Sequence, residues 1–308
     1  MNRAGKIIFL AVMLCSVPGG CIRVKLPECP PLVVKLAVDD RNYFNIDAAV
    51  SLGLMERLPD SLPFRHYIHS IYYIVVDGEG NVVAEQHNRA IDNDLPEQSV
   101  VMPLSLPYGK YTVTVWGNMD SEAPLNEDAS QAEMETEGAA FNDIYLASGT
   151  FDYSYGNDTF VLGMKRTRGC LLIKAEGIPD NIDFSTKDIE GVYGIVDSDL
   201  EYSNVTGINT ALDWKVQNEI RTTTLMCPSP SYEGTTLSVA FIDKSAAGGM
   251  AQTSADSVLR PQDVRITVGR NEITILKYIY DEEGSGGSFG IYIWVNNNWE
   301  VLHNMEIE

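Results

Sequence analysis

Leu106-Pro107-Tyr108-Gly109-Lys110-Tyr111-Thr112-Val113-Thr114-Val115-Trp116-Gly117-Asn118 carries the clearest period-two alternation in the chain. Successive side chains of a strand point to opposite faces, so Tyr111, Val113 and Val115 fall on one face and Thr112, Thr114 and Trp116 on the other. Pro107-Tyr108-Gly109 supplies a turn ahead of it. The stretch reads as a β-strand entered from a turn, and the rest of the chain repeats that pattern.

Upstream, Leu32, Val34, Leu36 and Val38 alternate with Val33, Lys35, Ala37 and Asp39. A β-rich run over 66–76 meets Asp77-Gly78-Glu79-Gly80 and returns as Asn81-Val82-Val83-Ala84-Glu85. This reads as a hairpin, because Asp-Gly supplies the positive φ that tight turns need. Downstream, residues 117–143 hold eight carboxylates and no Lys or Arg, and read as a long exposed loop or a partly disordered segment. Strand signals resume at 159–164, 170–175, 235–242, 263–268 and 272–280, with Gly269-Arg270-Asn271 as a hairpin turn between the last two. Phe289-Gly290-Ile291-Tyr292-Ile293-Trp294-Val295 turns at Asn296-Asn297-Asn298 and returns through Trp299. One short helix is expected over 45–58, capped by Asn45 or Asp47 and ended by Pro59. Many short strands with little helix between them argue for antiparallel sheets, since parallel ones need long crossovers. The expected fold is all-β, with two tandem antiparallel β-sandwich domains over 21–155 and 156–308.

Residues 1–20 read as a secretion signal: Asn2-Arg3-Ala4-Gly5-Lys6, an apolar run from Ile7 to Leu14, then Ser16-Val17-Pro18-Gly19-Gly20 before Cys21. The apolar run is far shorter than the ~20 residues of a membrane-spanning helix. Small residues ahead of Cys21 fit cleavage by lipoprotein signal peptidase and acylation of that thiol; ordinary cleavage near Gly20, leaving a free thiol, is the alternative. Acyl chains give durable anchoring, at roughly 0.8 kcal/mol per buried methylene. Removal of 1–20 takes the net charge from −21 to −23, because Arg3 and Lys6 leave with it. Such acidity argues against nucleic acid and against docking on anionic lipid by charge alone. Cys29, Cys170 and Cys227 are too few for a disulfide scaffold, and no CxxC pair suggests zinc or redox chemistry. Cys170 and Cys227 either bridge or stand as buried thiols.

Several of these stretches together resemble the Mfa2/FimB family of Bacteroidales fimbrial anchor proteins. The carriers are Cys21 followed by Glu28-Cys29-Pro30-Pro31, the run from Tyr108-Gly109-Lys110-Tyr111 to Trp116-Gly117-Asn118, and Arg166 and Arg168 ahead of the next strand. The resemblance implies two transthyretin-like sandwiches, a lipid anchor in the outer membrane and a place at the base of a fimbria. It implies fimbrial shaft subunits as partners, joined by strand addition, in which main-chain hydrogen bonds supply affinity and alternate side chains supply register. No long pro-segment separates Cys21 from the first strand, which favours an anchor over a shaft subunit.

No catalytic set, metal site or cofactor is expected. His66 and His69, three apart in a strand, would face opposite ways, and neither GxSxG nor HExxH occurs. Asp197-Ser198-Asp199-Leu200-Glu201 lacks the Gly and distal Glu of a calcium loop, and Asp281-Glu282-Glu283 ahead of Gly284-Ser285-Gly286-Gly287 reads as a solvated loop. Trp116, Trp294 and Trp299 are expected in cores, and Tyr153 and Tyr155 as exposed aromatics able to stack on sugars or a partner. That leaves a carbohydrate-binding surface lipoprotein as the second reading. Asp60-Ser61-Leu62 and Asp256-Ser257-Val258 resemble Bacteroidetes O-glycosylation sites. The final segment places Val301, His303, Met305 and Ile307 on one face, either as the last strand of its own domain or as a strand offered to a shaft subunit.

Overall fold

Alternation in the sequence becomes alternation in burial. β1 (Val33–Val38) buries Val34, Leu36 and Val38 and turns Val33, Lys35 and Ala37 outward. The computed structural model describes residues 30–103, 106–119, 125–134, 142–214, 219–230, 234–244, 258–282 and 287–302. After β1 come two short helices, α1 (Ile46–Ser51) and α2 (Phe64–Tyr67), then β2 (Ser70–Asp77), β3 (Val82–Ala90), β4 (Gln98–Val101) and β5 (Gly109–Gly117). β6 (Gln131–Glu133), β7 (Tyr145–Tyr153), β8 (Thr159–Arg166), β9 (Gly169–Glu176), β10 (Phe184–Asp197), β11 (Tyr202–Asp213) and β12 (Glu219–Met226) follow. The chain closes with β13 (Thr235–Ile242), β14 (Val258–Leu259), β15 (Val264–Ile266), β16 (Ile273–Asp281), β17 (Ser288–Val295) and β18 (Asn298–Val301). The protein is all-β, and no helix among the described residues is long and apolar enough to cross a membrane.

The first sheet runs β3-β2-β5-β7-β8-β1-β4. β7 and β8 pair only at Tyr145–Arg166 and Leu146–Lys165. Beyond that corner, β8, β1 and β4 form one layer, and β2, β3, β5 and β7 the other. Both line one core: Val34, Leu36 and Met164 from the first meet Ile71, Val113, Val115 and Tyr145 from the second. The second sheet runs β11-β10-β13-β14, with β15 added to β13 and β6 to β10; the third runs β12-β9-β16-β17-β18. Ile189, Leu237 and Phe241 of the second pack with Leu171, Leu276 and Tyr278 of the third. Residues 31–308 cluster as one compact unit.

Among the described strands pairing is mostly antiparallel, with two exceptions: β1 beside β8 and β9 beside β16 run parallel. Here the crossovers are supplied by strands rather than by helices, since everything from β2 to β7 lies between β1 and β8 in the chain. β8, assigned from sequence to the second half, runs in the first sheet.

Several local expectations change. The helix expected over 45–58 stops at Ser51, because Gly53 at φ +65 takes the left-handed position that ends helices. Asn45 makes no side-chain cap; its amide instead exchanges two bonds with Ile273, Nδ2 to the carbonyl at 2.8 Å and Oδ1 from the N–H at 2.9 Å. The strand expected over 66–76 begins at Ser70, and His66 sits in α2. Gly269-Arg270-Asn271 is a crossing between sheets rather than a hairpin turn, since β15 pairs with β13 whereas β16 pairs with β9 and β17. In the acidic stretch read as an exposed loop, β6 adds to β10, and Ala129, Ala132 and Met134 are buried.

Candidate functional site

Both faces of β5 are used, and that explains its alternation. Tyr111, Val113 and Val115 enter the first core. On the other face Trp116, with Tyr72, Ile74 and Leu146, packs against Met119, Ala129, Ala132 and Met134 and against Val196 and Cys227 of the second half. The Trp116 indole N–H donates to the Ala129 carbonyl at 2.8 Å. A Cβ on Gly117 would lie 2.9 Å from Ile68 Cγ2, so nothing larger than glycine fits there without a shift. Asn118 sits at φ +62, a left-handed conformation that Asn tolerates well. Its amide donates to the Tyr67 and Asp143 carbonyls at 2.8 Å each and accepts from the His69 N–H at 2.9 Å. The Trp-Gly-Asn end of the strand thus joins three chain segments.

A buried ionic cluster lies at the same junction. The Arg166 guanidinium pairs with Asp143, donates to Asn271 Oδ1 at 2.7 Å and to the Tyr145 hydroxyl at 2.8 Å, and lies 4.2 Å from the centre of the Tyr43 ring. Asp40 accepts from the Arg166 main-chain N–H at 2.9 Å and from Arg270 Nη1 at 2.6 Å. Burial pushes the pKa values of the Tyr43 and Tyr145 hydroxyls and the Asp143 carboxyl up, and the Arg166 charge opposes it in each case. Arg166 is legible as part of a family-like pattern, but Asp40, Asp143 and Arg270 are scattered and give no local signal. Beside this cluster, α1 lays Ile46 and Ala49 on Cys170, Leu172, Ile273 and Ile275 of the third sheet.

Cys170 and Cys227 are free and buried, and lie in different apolar clusters. Burial pushes their thiols up, to about 12 and about 11, which keeps them protonated and unreactive. Lys187 is the unexpected group. It spans the second core from β10 to donate to Thr222 and Thr224 of β12, at 3.1 and 2.6 Å, and burial lowers its pKa to about 8.

Other sequence candidates disperse. Asp197 caps its own hairpin turn, accepting the N–H groups of Asp199 and Glu201 at 2.9 Å each. Among the described residues no three His, Cys, Asp or Glu side chains group as metal ligands. Tyr153 is buried against Tyr108 and Tyr111 rather than exposed, whereas Tyr155 is 80% exposed. Asp60 and Ser61 are exposed. Residues 1–29, hence the signal and Cys21, lie outside the described residues, as do Asp256, Ser257, His303, Met305 and Ile307.

The chain's last described strand is an edge. β18 pairs with β17 on one side, Tyr292 opposite Val301 through Val295 opposite Asn298, across a turn with Asn296 and Asn297 at φ 50 and 61. Two successive positive φ values make the tight turn that matches strand twist. Trp299 folds back on Trp294, ring centres 5.1 Å apart, while Val301 is 52% exposed. The other flank of β18 has no strand partner among the described residues, so its backbone groups remain open to another strand.

The described residues thus form an all-β protein with a polar-locked junction and an open edge at its last described strand. The chain belongs to the family of fimbrillin-A associated anchor proteins Mfa1 and Mfa2, whose pattern matches residues 26–304. Solved structures share the fold. The fimbrial anchor protein Mfa2 of Porphyromonas gingivalis superposes with a TM-score of 0.50 at 12% identity, over 89% of this chain and 100% of that one. A proposed adhesin of Bacteroides ovatus gives 0.55 at 14% identity, over 92% and 98%. A proposed polysaccharide-binding protein of Bacteroides thetaiotaomicron gives 0.55 at 11%, over 89% and 99%. No curated protein matches the sequence.

Proposed function

We propose that the protein is an outer-membrane lipoprotein, acylated at Cys21, that seats a fimbria by pairing its C-terminal edge with a strand of a shaft subunit. Membership of the anchor family, spanning nearly the whole chain, carries this reading. Gly19-Gly20-Cys21 provides the acylation site, and β18 provides an edge with exposed Val301. In the sequence Val301, His303, Met305 and Ile307 alternate toward the terminus, and adding a strand to an edge satisfies its row of free backbone groups. On this reading the halves are two transthyretin-like sandwiches, one ending at Arg166 and one beginning at Gly169. Truncation after Leu302 tests it. Shaft protein recovered with outer membranes should fall steeply, while the thermal midpoint of the purified protein stays unchanged. Undiminished shaft recovery, both in the truncated chain and in Val301→Asp, contradicts strand addition.

Exposed Tyr155, at the turn between β7 and β8, favours a second reading in which the surface binds glycans. Binding on a glycan array that disappears in Tyr155→Ala would support it.

A further inference from the structure

The two parallel pairs occupy particular places in the chain. β1 runs beside β8 from Val33 opposite Thr159 to Val38 opposite Met164. The ladder is bounded by the Val33 N–H on the Asp158 carbonyl at 2.8 Å and the Asp39 N–H on the Met164 carbonyl at 3.0 Å. β8 then passes through Thr167 and Arg168, both buried, directly into β9. β9 runs parallel to β16, from Cys170 opposite Ile273 to Glu176 opposite Ile279.

Tension between the chain ahead of Pro31 and the C-terminal edge draws β1 toward its N-terminal end. It draws β8 the other way, toward the C-terminal end that leads into the second half. Because the two strands run in the same direction, these pulls are opposed along the strand axis. Every rung of the ladder then carries load together, and none opens before the rest. An antiparallel neighbour attached in the same way would unzip from one end, rung by rung. From this geometry we infer that the β1–β8 pair is a shear clamp, a tension-bearing joint between the membrane tether and the fimbria, and that β9–β16 repeats it in the second half. The direction of load rests on the anchor reading.

Three features reinforce the clamp. Slipping β1 by one residue would exchange Val34, Leu36 and Val38 for Val33, Lys35 and Ala37 on the core face. β4 grips the other flank of β1, from Val33 opposite Val101 to Leu36 opposite Gln98. At the far end, Asp40 follows β1 and accepts from both Arg166 and Arg270, and Arg270 also donates to the Arg166 carbonyl at 3.0 Å. That cluster ties the ends of β1 and β8 to the second half at one point.

Single-molecule pulling on the mature chain in two geometries tests the clamp. In the first, handles at the two termini load β1 and β8 in shear. In the second, one handle stays at the N-terminus and the other is attached to Tyr155→Cys, just ahead of β8, so the adjacent starts of β1 and β8 are peeled apart. Contour length identifies the event, which releases residues 31–166 in the first geometry and residues 31–155 in the second. Its rupture force should be roughly two- to threefold higher in shear than in peel at one loading rate, since forced unfolding reads the unfolding barrier. Equal forces, or a lower force in shear, overturn the inference. Either result leaves the anchor reading to its own test, the truncation after Leu302.

Discussion

The junction around Trp116 and Arg166 and the edge at β18 are opposites in the use of polar groups. At the junction nearly every donor and acceptor is spent inside the chain: Asn118 alone makes three bonds to backbone, and Arg166 serves Asp143, Asn271 and Tyr145. At β18 one flank has no strand partner among the described residues, and Val301 faces solvent. The first arrangement makes the halves behave as one body. The second leaves an edge that can accept another strand. Stability and attachment should therefore respond to different substitutions.

Trp116→Ala should show the largest loss of stability. It empties the buried plug between the halves and leaves the Ala129 carbonyl unpaired, for about 4–5 kcal/mol by denaturant titration. Arg166→Met should cost about 3–5 kcal/mol, because Asp143 loses its buried cationic partner and Asn271 and Tyr145 each lose a hydrogen bond. Lys187 sharpens the comparison through pH. Its folded pKa of about 8 lies below the ordinary lysine value of 10.5. Between those values the unfolded chain binds more protons than the folded one, so this group makes stability rise with pH across that window. Well below pH 8 both states are protonated and the burial penalty, about 3 kcal/mol, is present in full. The Cys227 thiol and Tyr278, whose pKa values burial raises, act in the opposite sense at alkaline pH, equally in the native protein and in Lys187→Met; the Cys170 thiol, which the Lys187 charge helps to lower, rises further in the variant. The thermal midpoint of the native protein should therefore climb relative to that of Lys187→Met between pH 7 and 9.5. At the open edge, Val301→Asp should change stability by no more than about 0.5 kcal/mol, while reducing recovery of shaft protein with membranes.

How far the sequence discloses this depends on the distance over which each feature is encoded. The alternation of β5, the Asp77-Gly78-Glu79-Gly80 hairpin and the Asn296-Asn297 turn are local, and each is legible. The crossing at Gly269-Arg270-Asn271 is not, because the destination of the chain after a turn is decided by which sheet accepts it. The helix that stops at Ser51 carries its signal in Gly53 rather than in the more conspicuous Pro59. The acidic stretch around β6 reads as loop from its charges, yet the small and apolar residues Ala129, Ala132 and Met134 fit the surface beside Trp116. The ionic cluster assembles residues from positions 40 to 271, and only Arg166 stands in a recognisable pattern. β18 is legible from the Asn296-Asn297 turn and Trp299 beside it; the junction around Trp116 and Arg166 is not.

Replacing Cys21 by Ala tests the central account most directly, with shaft protein followed in the membrane and medium fractions of growing cells. The account predicts that both the variant and assembled shaft material appear in the medium. Retention of both at the outer membrane, with no acyl group on the chain, would contradict it.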